Sequence, residues 1–232
     1  MEFIRADERG YFDHGWLKTF HTFSFADYYN PSRMNFGMLR VFNDDIIDGQ
    51  KGFGMHPHDN MEIISIPLDG SLAHKDSLGE EGVISTDEIQ VMTAGTGIRH
   101  SEFNPLEEAA NFLQIWIFPD SLNLRPRYEQ RKFNHVGWNT IQLLVSPDKR
   151  EGSLMIHQTA FLSRISIKKE SSHIYERFEP ENGVSLFVIE GEISLNNVPL
   201  YRRDTALINP VETIILNAHS DSQLLFIEVP MN

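Results

Sequence analysis

The sequence predicts an all-β protein made of two antiparallel units of the sandwich or barrel type. Three observations support this prediction: β-type runs are short and bounded by turn residues, helical periodicity is scarce, and the pattern recurs in the second half of the chain. A length of 232 residues allows one large domain or two compact ones, and a hydrophobic fraction of 41% is enough to bury a core.

The first half contains five apolar or alternating runs that we predict to be strands. They are residues Gly37 to Asn43, Glu62 to Leu68, Gly70 to His74, Glu88 to Thr93 and Phe112 to Phe118. Turn residues separate them, for example Asp69-Gly70 and Asn104-Pro105. This spacing is typical of antiparallel β-sheets.

A Pro-containing segment around Leu124 to Phe133 is interpreted as a connector between the two units. The predicted strands after it are Ser153 to His157, Phe161 to Ile167, Gly183 to Glu190, Glu192 to Leu195, Thr213 to Leu216 and Leu224 to Val229. Segments 63–76 and 185–197 share a strand, an acidic-Gly turn and another strand, which suggests a duplicated unit. We therefore predict an amino-terminal domain at 1–132 and a carboxy-terminal domain at 133–232.

Charge and composition exclude several classes of function. The chain has 20 Lys and Arg against 33 Asp and Glu, a formal charge of −13, so direct binding to nucleic acid is not expected. It has no cysteine, which removes disulfides and thiolate ligands. No apolar run is long enough to span a membrane, and the charged first ten residues do not resemble a signal peptide. We expect a cytoplasmic monomer without a membrane partner.

The residues richest in chemical information lie around two histidines in the segment Gly52 to Glu62. His56 and His58 are separated by one residue, so on a strand both imidazoles point to the same face, about 6.6 Å apart along the backbone. That separation allows both rings to reach one ion through ligand bonds of roughly 2 Å. Pro57 between them favours an irregular or edge strand.

A second pair with the same spacing is His100 and Glu102, shortly after Gly95-Thr96-Gly97. If this strand faces the first across a barrel, all four side chains converge on one point. The alternative is that these are ordinary surface or core histidines, which is the usual reading of an isolated histidine. Two pairs in β context favour the metal site.

Several segments carry a resemblance to a known family. They are "HTFSFADYYNP" (21–31), "GMLRVFNDD" (37–45), "GFGMHPHDNMEIISIPLDG" (52–70), "MTAGTGIRHSEFN" (92–104), "LQIWIFP" (113–119) and "PRYEQRKF" (126–133). Together with a looser match at 146–158 they resemble the pirin family of the cupin superfamily over almost the whole chain.

The resemblance implies a bicupin fold, that is, two jelly-roll-like antiparallel barrels, with one metal ion in the amino-terminal barrel. The family ligands match His56, His58, His100 and Glu102, and the usual metal of the family is iron, here Fe(II). Glu62 stands where many other cupins have a carboxylate ligand. Because pirins use the glutamate two residues after the third histidine, we interpret Glu62 as a supporting or structural residue.

Imidazole and carboxylate ligands without a thiolate also suit Mn, Co, Ni, Cu or Zn, and the sequence does not separate these metals from iron. Several bacterial pirin-like proteins are quercetin 2,3-dioxygenases. The resemblance therefore implies a small aromatic chelating substrate, O2, and opening of the flavonol ring with release of carbon monoxide. Glu102 would be the catalytic residue, accepting the proton of the flavonol 3-hydroxyl.

Two alternatives to the enzyme remain open. Other members of the family resemble redox-responsive regulators, so the chain could instead be a metal-containing protein that binds transcription factors or metabolic enzymes. The metal could also be purely structural, which a closed coordination shell would favour. Turnover with flavonols would separate the enzyme from both.

Other polar residues are weaker candidates. His74 and Asp76 follow a turn and are expected on an exposed strand face. Gln114 and Trp116 alternate on one strand, where they line the cavity beside the metal or belong to the barrel core. The carboxy-terminal histidines show no paired spacing, so we expect no metal in that barrel; they are His157, His173 and His219.

Overall fold

Alternating apolar and polar residues form 22 β-strands, joined mostly by tight turns, in a computed structural model that describes residues 1–232. The strands of the first half are β1 (Glu2–Ile4), β2 (Gly10–Asp13), β3 (Leu17–His21), β4 (Leu39–Ile47), β5 (Gly52–His58), β6 (Glu62–Asp69), β7 (Ser71–Asp76), β8 (Glu81–Ser85), β9 (Glu88–Thr93), β10 (Ile98–Phe103), β11 (Ala110–Ile117) and β12 (Arg127–Lys132).

The strands of the second half are β13 (Gln142–Ser146), β14 (Leu154–Met155), β15 (Phe161–Ile167), β16 (Ser172–Tyr175), β17 (Gly183–Glu190), β18 (Glu192–Leu195), β19 (Val198–Tyr201), β20 (Thr205–Ile208), β21 (Ile214–Ala218) and β22 (Ser222–Val229). Two short 3-10 helices, Ala6–Glu8 and Arg150–Gly152, complete the secondary structure. Neither helix has the length and apolar composition needed to cross a bilayer.

Each half forms the main part of one seven-stranded sheet and all of one four-stranded sheet, and the two halves use the same strand order; β1 of the first half completes the larger sheet of the second. The larger sheets run β12-β9-β6-β11-β4-β3-β2 and β1-β20-β17-β22-β15-β13-β14, and the smaller ones run β5-β10-β7-β8 and β16-β21-β18-β19. In both halves an acidic residue and a glycine form a turn, Asp69-Gly70 in the first and Glu190-Gly191 in the second. At this turn the chain passes from a strand of the larger sheet to a strand of the smaller one. The predicted all-β double barrel is confirmed, and its topology agrees with a duplicated unit.

Most predicted strands are present, and four have the predicted bounds: Glu88–Thr93, Phe161–Ile167, Gly183–Glu190 and Glu192–Leu195. The interpretation of Leu124 to Phe133 as a connector was wrong, because Arg127–Lys132 is a strand that pairs with β9. It lies at the sheet edge with half-buried or exposed side chains and so lacks apolar alternation.

The amino-terminal strand belongs to the larger sheet of the second half. Strand β1 pairs with β20 at the edge of that sheet, the position that β12 occupies in the larger sheet of the first half. The predicted division between residues 132 and 133 remains a prediction.

The outer faces of the two larger sheets pack against each other and enclose the largest hydrophobic cluster, 24 buried residues drawn from both halves. Inside the second barrel, 16 buried hydrophobic residues form another continuous core. Inside the first barrel the apolar side chains form only small clusters of five and four residues. The first barrel therefore has an interior that is not filled by hydrocarbon.

A buried ion network also joins the barrels. Asp44 of β4 accepts hydrogen bonds from Arg9 at 3.3 Å, from Arg203 at 3.4 Å and from Asn111 at 2.8 Å. Both guanidinium groups also lie over the ring of Phe187, at 5.8 and 5.9 Å. Burial lowers the pKa of Arg9 and Arg203, and Asp44 opposes that shift. One carboxylate thus stabilises two buried cations from different parts of the chain.

We expect Asp44→Asn to lower the free energy of unfolding by about 3 kcal/mol or more, because it removes the carboxylate shared by two buried arginines and leaves Arg203 only the more exposed Glu190 at 3.5 Å. Urea denaturation followed by circular dichroism measures this loss. The matched control is Glu81→Gln, which breaks an ion pair with Lys75 in which both side chains are more than 60% exposed, and we expect a change of about 1 kcal/mol or less. Equal losses for the two variants would contradict the role given to Asp44.

Candidate metal centre

The candidate ligands lie on β5 and β10, which are hydrogen-bonded neighbours in the smaller sheet of the first barrel. His100 pairs directly with His56, and Ile98 pairs with His58. The two strands are therefore neighbours and do not face each other across the barrel, which is the arrangement considered from the sequence. His56, His58 and His100 still converge, because residues on one face of adjacent strands also lie close together.

Three imidazoles meet on the inner face of these strands. The ring centroids of His56 and His100 are 4.4 Å apart, and His58 lies 4.8 Å from each of them. One nitrogen from each ring lies within 4.8 Å of those of the other two. Small side-chain rotations can bring such a group to bonds of about 2.0–2.1 Å around one ion.

The protonation of these rings suits a metal. Burial, reinforced by the neighbouring histidines, lowers the pKa of His58 to about 4 and of His100 to about 2, so both rings are neutral at pH 7. The Nδ1–H of His56 can donate to the carbonyl oxygen of Gly54 at 2.7 Å, which leaves Nε2 with a free lone pair. Neutral imidazole is the form that binds metals.

Buried ring nitrogens without a hydrogen-bond partner indicate whether these residues suit a metal ion. Nε2 of His58 and both ring nitrogens of His100 are buried without a hydrogen-bond partner, although buried polar atoms are nearly always satisfied. A bound cation would supply a partner for Nε2 of His58 and for one nitrogen of His100. The donor set therefore fits a divalent transition metal.

Glu102 is buried in the same pocket but does not belong to the group of three close imidazoles. The β5–β10 ladder shifts register between His100 and Glu102, so Glu102 lies opposite Phe53. Its carboxylate accepts hydrogen bonds from Ser65 at 3.2 Å and Gln114 at 3.2 Å. Burial raises the pKa of Glu102 to about 7, against the opposite effect of these two hydrogen bonds. Its role as the fourth ligand remains a prediction.

A cavity of about 430 Å³ is lined by His56, His58 and Glu102. Aromatic side chains form much of its wall: Trp16, Phe25, Phe53, Phe112 and Trp116. Gln114 also lines it, so the cavity alternative for Gln114 and Trp116 is confirmed. The volume falls within the roughly 300–1,000 Å³ range of pockets that bind small organic molecules.

Two further expectations concern residues near the site. Glu62 is fully buried and accepts a hydrogen bond from Thr93 at 3.0 Å, with His157 3.5 Å away, and it does not line the cavity. The expectation that His74 and Asp76 are exposed was wrong, since both are buried. The ring of Tyr128 stacks on His74 at 4.7 Å and covers that strand face, a tertiary contact that local pattern does not reveal.

Asp45 and the aromatic residues at positions 16, 25, 53 and 112 of the cavity wall were not predicted from the sequence. Asp45 had a detectable signal, because it lies two residues after Asn43, on the same strand face, between the apolar residues at the two ends of β4. In the second barrel, β21 occupies the position that β10 has in the first. Its inward-facing residues Ile214 and Leu216 are apolar and are buried in the core. This supports the prediction that the second barrel holds no ion.

The fold and the histidine group define a two-barrel protein of the cupin superfamily with a metal site in its first barrel. Residues 4–117 match the family described as pirin, and residues 143–229 match the quercetinase C-terminal cupin domain. The chain belongs to the pirin family.

Named relatives extend this similarity over the full length. The quercetin 2,3-dioxygenase of Escherichia coli (strain K12) is 43% identical over 227 residues, which cover 97% of each chain. A pirin-like protein of Caulobacter vibrioides is 37% identical over 96% of each chain. The crystal structure of the bacterial pirin YhhW from E. coli in complex with nickel(II) matches with a TM-score of 0.93 and 42% identity, covering 99% of this chain and 98% of that one.

Proposed function

We propose that this protein is a metal-dependent quercetin 2,3-dioxygenase that opens the central ring of flavonol substrates with O2 and releases carbon monoxide. The observation that carries the proposal is an aromatic cavity lined by His56 and His58, whose rings lie against His100 in a group of three close imidazoles. Its metal is held by His56, His58, His100 and Glu102, and we expect Fe(II). A divalent metal bound there would supply Lewis-acid and redox chemistry to a chelating substrate.

The cavity wall supports a flat aromatic substrate. The indole of Trp116 lies edge-on to His58 with centroids 4.7 Å apart, and Phe25 lies edge-on to Trp116 at 5.2 Å. Trp16 and Phe53 form a third such pair at 5.3 Å. These rings can sandwich a flavonol and exclude water from its reacting end.

Glu102 supplies the base in this proposal. Its carboxylate is held by Ser65 and Gln114, which orient it within the pocket. A carboxylate in that position is placed to accept the flavonol 3-hydroxyl proton, and a bound cation would keep it ionised by opposing the effect of burial on its pKa.

The relatives support the proposal through the activity that the E. coli protein carries in its name and through the nickel(II) bound by the E. coli pirin. We further propose that the protein acts as a cytoplasmic monomer on small molecules. Its charge of −13 disfavours nucleic acid, and a chain without cysteine has no disulfide that requires an oxidising compartment.

The test is turnover of quercetin by protein loaded separately with iron, manganese, cobalt, nickel, copper and zinc. We expect at least one form to consume O2 and release carbon monoxide in equal amounts, with metal-free protein slower by about 10² or more. An oxygen electrode and gas chromatography give the two quantities. Absence of both O2 uptake and carbon monoxide with every metal would overturn the enzyme and leave the regulatory alternative.

A further inference from the structure

One charged residue of the cavity wall has no part in the proposed chemistry. Strand β4 is buried on both faces, so Asp44 points toward the second barrel and its neighbour Asp45 points into the first. Asp45 lies opposite Phe112 of β11, another residue of the cavity wall. Among the lining residues, Asp45 and Glu102 are the only two that carry carboxyl groups.

Only one of the two carboxyl oxygens of Asp45 has a hydrogen-bond partner in the protein. Its Oδ1 accepts a hydrogen bond from the hydroxyl of Thr19 on the adjacent strand β3. Its Oδ2 receives no hydrogen bond and is not sealed from the cavity, although the residue is only 4% exposed. No lysine, arginine or histidine forms an ion pair with it. Burial raises the pKa of Asp45 to about 7, and the nearby Asp44 and Glu102 add to the shift.

A half-satisfied carboxyl in an aromatic wall has few compatible ligands. When ionised, Asp45 repels an anionic group placed against it, so a carboxylate or phosphate at that point of the ligand is disfavoured. It favours a neutral ligand that brings a hydroxyl donor, because a hydrogen bond to a carboxylate is shorter and stronger than one between neutral groups. Gln114 cannot easily take this role, since Ser65 and Glu102 already occupy its amide.

We propose that Asp45 determines substrate specificity, with Oδ2 accepting a hydrogen bond from a phenolic hydroxyl that is separate from the oxygens directed to the metal. The pocket would thereby select neutral aromatic chelators that carry additional hydroxyl groups. This inference rests on the proposed function, because it takes the cavity as the substrate site.

The experiment compares two ligands that share the 3-hydroxy-4-carbonyl chelating group. Quercetin has additional ring hydroxyls and 3-hydroxyflavone has none. Dissociation constants are measured without O2 on nickel(II)-loaded protein, by quenching of tryptophan fluorescence, since Trp16 and Trp116 line the cavity. The variants are Asp45→Asn, which keeps the shape, and Asp45→Ala, which removes the acceptor. Circular dichroism and metal content verify that each variant is folded and loaded.

We expect the wild type to bind quercetin at least about tenfold more tightly than 3-hydroxyflavone, the effect of one charge-assisted hydrogen bond. Asp45→Ala should abolish that preference and Asp45→Asn should reduce it, while 3-hydroxyflavone binds within about threefold of wild type in both. Glu81→Gln changes the net charge equally at an exposed site and should keep the preference.

An unchanged preference in both variants would overturn the role of Asp45, as would a wild type that binds the two ligands equally or binds neither. A merely structural Asp45 would change thermal stability or weaken both ligands alike, leaving their ratio intact, and that result also counts against the proposal. Failure of the proposed function would look different. The preference for quercetin would still depend on Asp45, but the protein would not consume O2 when the same ligands are supplied in air.

Discussion

Replacing His100 by alanine is expected to weaken metal binding by about 10² or more, because it removes one ligand of a site whose total binding energy is shared among a few bonds. His100 is fully buried, lies 4.4 Å from His56 and 4.8 Å from His58 by ring centroids, and has no hydrogen-bond partner of its own. Elemental analysis per chain and titration of metal-free protein with nickel(II) measure the loss.

The matched control replaces the three carboxy-terminal histidines by glutamine, His157, His173 and His219 together. Because the second barrel is filled by its own apolar core, we expect this variant to keep one metal per chain. Full occupancy in His100→Ala would refute the assigned site. A halved stoichiometry in the triple variant would reveal a second site.

Glu102→Gln is expected to lower quercetin turnover by about 10² or more, the lower range for loss of a general base. The amide keeps an oxygen at the same place and can still bind Ser65 and Gln114, but it cannot take up a proton at neutral pH. Rates must be expressed per bound metal, since an amide is also a weaker ligand than a carboxylate.

Glu62→Gln is a control for a buried glutamate in the same barrel. Burial raises the pKa of both Glu62 and Glu102 to about 7, but Glu62 contacts Thr93 and His157 outside the cavity. We expect its turnover to stay within about threefold of wild type, as for a site without contact to substrate. Normal turnover by fully metallated Glu102→Gln would retain the enzyme and reject the base.

The ligand histidines could be predicted because their signal is local. A strand repeats every two residues, so the separations of His56 from His58 and of His100 from Glu102 already place each pair on one face. The same alternation predicted the strands and, through their recurrence, the two units. These features depend only on neighbouring residues.

The cavity could not be predicted in this way, because its wall combines β4, β5, β10 and β11 with segments before and between them. Whether Asp45 faces solvent, the second barrel or the cavity depends on the packing of both faces of β4, which involves residues far along the chain such as Arg203. The burial of His74 likewise depends on Tyr128, and the pairing of Arg127–Lys132 depends on β9. The sequence by itself determined the fold class and the two candidate ligand pairs, since both follow from short-range periodicity. The tertiary structure alone decided which further side chains line the cavity beside the three histidines, since that depends on long-range packing.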